Sequence, residues 1–83
     1  MERATAAKRG DAARRRMQVT VNGELRSVSE RQTVADLLAQ LDLPPTRVAV
    51  EVNEEVVPRD AYSQRALAAG DRVEIVHFVG GGV

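Results

Sequence analysis

The chain offers few side chains that could do chemistry unaided. Its single histidine, His77, shares one face of an alternating run with Val73, Ile75 and Val79, a setting that suits a structural or surface imidazole better than a member of a nucleophile–histidine–acid set. Cysteine is absent, which removes disulfides, thiolate zinc sites, iron–sulfur clusters and a cysteine nucleophile. Glu51, Glu54 and Glu55 crowd one short stretch. Around a turn such residues ordinarily make a solvated face rather than a metal site or an acid–base pair. No glycine-rich loop between a strand and a helix is available to cradle phosphate. No catalytic residue, metal or bound cofactor is expected, and nothing indicates a self-sufficient enzyme.

The unusual feature is backbone rather than side chain. A run of large residues stops at Val79 and is followed by Gly80, Gly81, Gly82 and then Val83. Glycines cannot pack a core and lose the most entropy on ordering, so residues 80–83 are expected to form an exposed, flexible tail. Two readings are open. One is a tail without function. The other is a terminus that threads into a narrow channel of another protein, which can close around the backbone because no Cβ atom is in the way.

The elements that must carry this tail follow from hydrophobic pattern. Met17, Val19 and Val21 alternate with Gln18 and Thr20, Asn22-Gly23 follows, and Leu25 and Val28 come next. Asn-Gly between alternating runs predicts a hairpin. Thr33, with Asp36 three residues on, predicts a capping box, and Val34, Leu37, Leu38 and Leu41 recur at helical spacing as a core-facing stripe ended by Pro44 and Pro45. Val48, Val50 and Val52 share one face of a third strand that Asn53 breaks. Val56-Val57 before Pro58 reads as an edge piece, because proline cannot donate to a central ladder. Asp60 to Leu67 reads as an irregular or single helical turn, and Ala69-Gly70-Asp71 turns the chain into a strand from Arg72 to Val79. With apolar residues on both of its faces, that strand suits the centre of a sheet. One helix over one face of a mixed sheet is a small α+β roll.

Eighty-three residues allow one domain. The formal net charge is zero, but its halves differ. Arg3, Lys8, Arg9, Arg14, Arg15 and Arg16 outweigh Glu2 and Asp11 in residues 1–16, leaving the rest acidic. That segment has no large aliphatic or aromatic residue after Met1, so 1–16 is expected to be a disordered basic arm before a domain at 17–79. It lacks the interleaved aromatics on which bases stack, which argues against nucleic acid as a partner. Met17 is an alternative start. No apolar run reaches the roughly 20 residues needed to cross a bilayer, and no secretory signal is evident, so a cytoplasmic protein is expected.

Several segments in order carry a family likeness: Met17-Gln18-Val19-Thr20-Val21-Asn22-Gly23, Thr33-Val34-Ala35-Asp36-Leu37-Leu38, Val52-Asn53-Glu54-Glu55-Val56-Val57-Pro58-Arg59, Gly70-Asp71, and Ile75-Val76-His77-Phe78-Val79-Gly80-Gly81-Gly82. Met17 to Gly82 resembles the ThiS family of sulfur carriers in thiamine biosynthesis, which has the ubiquitin-like β-grasp fold. The resemblance implies a four- to five-stranded mixed sheet and a carrier in place of a catalyst. Gly82 would hold a carboxylate that an E1-like adenylyltransferase of the ThiF type activates with ATP. Sulfur originating from cysteine, for example through a cysteine desulfurase, would convert it to a thiocarboxylate that donates to thiazole synthase of the ThiG type. Gly80 and Gly81 would be the thread, and Val76 and Phe78, if they face away from the helix, a docking patch rather than core. Val83 departs from the family, whose members usually end at the glycine. It is removed by a peptidase, is an artefactual addition, or is tolerated by the partner. The resemblance also leaves open a related carrier for molybdopterin, amino-acid sulfur transfer or protein tagging, and the bare fold leaves open a β-grasp binding module.

Overall fold

A computed structural model describes residues 15–78. Residues 1–14 of the expected arm and the tail from residue 79, with the expectations placed on them, lie outside the described residues. Arg16, expected in the arm, instead opens the first strand opposite Ser29, which sets the start of the domain before Met17. Five strands and one α-helix are formed: β1 (Arg16–Val21), β2 (Glu24–Ser29), α1 (Val34–Gln40), β3 (Val48–Val52), β4 (Glu55–Val57) and β5 (Arg72–His77). Short 3-10 turns at Pro45–Arg47 and Arg59–Ala61 complete the order.

Both hairpins close through two residues at positive φ, as a type I′ turn requires. Asn22 and Gly23 stand at 51° and 85° between β1 and β2, and Asn53 and Glu54 at 53° and 71° between β3 and β4. The strands lie in the order β2-β1-β5-β3-β4, with β1 and β5 parallel and the other neighbours antiparallel. This is the β-grasp arrangement. β5 is central and β4 is an edge, as the pattern predicts. The reason for β5's position differs from the expected one: its second face is not buried, and its place comes from pairing on both sides.

The helix begins at the capping box. Asp36 N–H donates to Thr33 Oγ1 at 3.1 Å, and Thr33 N–H donates to Asp36 Oδ2 at 3.0 Å. The two preceding helical donors, Val34 and Ala35, find the carbonyls of Arg65 and Tyr62 in the β4–β5 connection, so the first turn is satisfied. The helix ends earlier than the prolines demand. Asp42 takes a φ of 63°, its N–H donates to Ala39 O, and Leu43 N–H donates to Leu38 O. These are the two bonds of a Schellman ending, and Pro44 and Pro45 fall after it.

Between α1 and the sheet lies a core made chiefly of valine. Val19, Val21 and Val28 meet Val34, Leu37 and Leu38, with Val48, Val50, Val52, Val57, Val73 and Ile75 completing the sheet side. Tyr62 and Leu67 close one end from the β4–β5 connection. Gln32 is buried and ties three segments together: it accepts from Ser29 N–H, donates to Gln40, and its carbonyl accepts from Leu67 N–H.

Candidate functional site

The root of the glycine tail is the end of β5, and three devices fix it. On one side Val48 pairs with His77 and Ala49 with Val76, and Phe78 N–H donates to Arg47 O at 2.8 Å. On the other side the parallel ladder from β1 runs out at Val21 opposite Val73. There the Asn22 carboxamide takes over: Ile75 N–H donates to Asn22 Oδ1 at 2.8 Å, and Asn22 Nδ2 donates to Ile75 O at 3.1 Å. A side chain thus supplies a further rung of pairing where the strand has turned away. Asn53 does the same at the start of β5. Its Oδ1 accepts from Arg72 N–H at 2.9 Å and its Nδ2 donates to the buried Asp71 at 3.0 Å.

Neither asparagine is marked as a positioning residue by its local sequence. Local pattern predicts Asn22 as a turn former and Asn53 as a strand breaker. The available signal was that each hairpin turn begins with asparagine, whose carboxamide can both donate and accept, unlike glycine or aspartate.

β5 presents Val73 and Ile75 to the core and Glu74 and Val76 to the opposite, uncovered face. Val76 is 60% exposed and Phe78 48% exposed, so the alternative that both are core does not hold. Two further large apolar residues are exposed, Leu25 at 65% and Val56 at 71%. Ala49 lies directly beside Val76 on β3. The sheet therefore shows solvent an apolar surface that leads towards the tail. Leu25, counted with Val28 in the sequence pattern, falls on this uncovered side because it opposes Thr20 while Val28 opposes Met17.

His77 is exposed at the helix-side margin of β5, by a cleft lined by Asn22, Glu24, Arg26, Leu41 and Leu43. No serine among the described residues lines that cleft. Among the described residues, no three of His, Asp and Glu are grouped as a metal site. Glu54 and Glu55 are exposed at the second hairpin, while Glu51 is half-buried on the uncovered face.

Residues 19–82 match the ThiS family. The chain belongs to the ThiS family. It is 32% identical over 66 residues to the sulfur carrier protein ThiS of Escherichia coli, covering 80% of this chain and all of that protein. A ThiS crystal structure from Geobacter metallireducens superposes with a TM-score of 0.69 at 39% identity, covering 80% of this chain and all of that one. The chain is also 47% identical over 66 residues to a thiazole synthase of Paramagnetospirillum magneticum. There it covers 80% of this chain, which spans only a fifth of the synthase's length. No described helix is long and apolar enough to cross a membrane.

Proposed function

We propose that the chain is a sulfur carrier for thiazole formation in thiamine biosynthesis, with Gly82 as the carrying residue. The observation that carries this reading is the family match, which runs through the glycines to residue 82. The β5 geometry supports it as well, since the strand that leads to the tail is anchored on both sides and flanked by exposed Val76 and Phe78.

The chemistry follows from the weakness of a carboxylate as an acyl electrophile. Its oxygen attacks the α-phosphorus of ATP on an E1-like adenylyltransferase, pyrophosphate leaves, and the carbonyl gains a good leaving group. A sulfur nucleophile at the oxidation level of sulfide, supplied from cysteine, then expels AMP and leaves a thiocarboxylate. Gly80 and Gly81 let the partner's channel close around the chain, and Val76 and Phe78 dock against its surface. Thiazole synthase is the acceptor. The likeness of this chain to one part of proteins named thiazole synthase supports that pairing. Val83 follows Gly82, so activation at Gly82 requires hydrolysis of the Gly82–Val83 peptide bond, the work of a peptidase.

Intact-protein mass spectrometry tests the reading, on the full chain and on a version ending at Gly82, with ATP, the adenylyltransferase and a sulfur donor. The shortened version is expected to gain the mass of one oxygen-to-sulfur exchange, and the full chain only after Val83 is removed. No mass change in either with a competent partner would refute the carrier reading and leave a binding module.

A further inference from the structure

The uncovered sheet face carries charge as well as apolar surface. Glu51 on β3 and Glu74 on β5 are directly opposed. Both alternate with buried neighbours, Val50 and Val52 in one case and Val73 and Ile75 in the other, so both carboxylates belong to the uncovered face. Residues opposed in this way have Cβ atoms about 4.5–5.5 Å apart, and like charges so placed destabilise a sheet. Among the described residues neither carboxylate has an ion-pair partner. Arg72, two residues before Glu74 on β5, lies 3.8 Å from Glu54 instead.

The pair has apolar neighbours on the same face. Val56 opposes Glu51 from β4, and the next rung along β3 and β5 is Ala49 with Val76. Phe78 follows in the direction of the tail.

We propose that Glu51 and Glu74 select the activating partner, which meets this face with an arginine or lysine set among apolar side chains. The inference rests on the carrier reading and adds the chemistry by which the partner is recognised. A cation seated between the two carboxylates cancels their repulsion, and a surround of Val56, Ala49, Val76 and Phe78 that excludes water strengthens the attraction. The apolar residues provide contact area, and the glutamates fix orientation. A second copy of this chain is a poor occupant, because a two-fold contact through this face would bring four carboxylates together. Nucleic acid is repelled for the same reason.

The test uses as parent the version ending at Gly82, which the carrier reading expects to load, and measures its binding to the cognate E1-like adenylyltransferase at roughly 0.02 M and 0.15 M ionic strength. The parent is compared with Glu51→Gln/Glu74→Gln and with Glu74→Lys. The double glutamine variant is expected to bind about ten-fold more weakly at the lower ionic strength, with a shallower salt dependence. Glu74→Lys should bind more weakly still. Both variants should melt no lower than the parent, because a repulsion has been removed. Unchanged affinity in the double variant overturns the proposal, and so does weaker binding matched by a lower melting temperature, which would mark a folding role. Dimerisation of the parent that Val76→Asp abolishes also overturns it. If the parent is loaded with sulfur and the glutamine variant is loaded equally fast, this inference alone fails. If the parent neither binds nor loads, the carrier reading fails with it.

Discussion

At the residue scale the asparagines that open the two hairpins carry more than their turns. Asn22 combines a positive φ, at which asparagine is one of the few tolerated side chains, with two hydrogen bonds to Ile75. Asn22→Ala loses both and leaves Ile75 backbone groups unpaired, so it should cost about 2 kcal/mol in urea denaturation. Asn22→Gly, which keeps the turn, should cost less. Glu54 is the opposite case, a side chain at φ 71° with no such compensation beyond an exposed 3.8 Å contact to Arg72. Glu54→Gly should raise stability by about 0.5–1 kcal/mol, since relief at a left-handed position exceeds the loss of a surface ion pair. A lower melting temperature in that variant would show that the Arg72 contact matters more than the backbone.

At the scale of elements, α1 has only seven residues, too few to be stable alone. It exists because its ends are satisfied and one face is buried. Thr33→Ala removes the capping hydrogen bond and should cost about 1 kcal/mol. Leu38→Ala empties a fully buried position and should cost about 2–5 kcal/mol. Chemical denaturation of the two variants reads the cap and the core separately. Nearly all of the helix was legible, because capping and apolar spacing are local signals. Its Schellman ending was not: aspartate at position 42 advertises a left-handed residue less clearly than glycine would, and the two prolines offered a more obvious stop.

At the scale of the whole molecule, the described core excludes Val76 and Phe78, the two residues to which docking is assigned. Val76→Thr and Phe78→Ala remove no core residue and are expected to cost no more than about 1 kcal/mol of stability. Both should weaken binding to the adenylyltransferase, a difference that titration calorimetry and thermal melts measured side by side will display. Deleting residues 80–82 from the version ending at Gly82 should abolish sulfur loading in the mass-spectrometric assay.

The sequence by itself determined the hairpin, the capped helix, the third strand, the edge piece before Pro58 and the family likeness, because each rests on residues close together in the chain. It also determined the absence of thiol chemistry. Tertiary structure decided what depends on distant pairing. Tyr62 and Leu67 enter the core from a connection that local pattern left irregular, and β5 settles between β1 and β3 through backbone ladders that composition does not encode. The same pairing turned Val76 and Phe78 outward and set Glu51 opposite Glu74, residues 23 positions apart in sequence. Alternation says only that a strand has two faces. The helix, by covering one of them, decides which face is left for a partner.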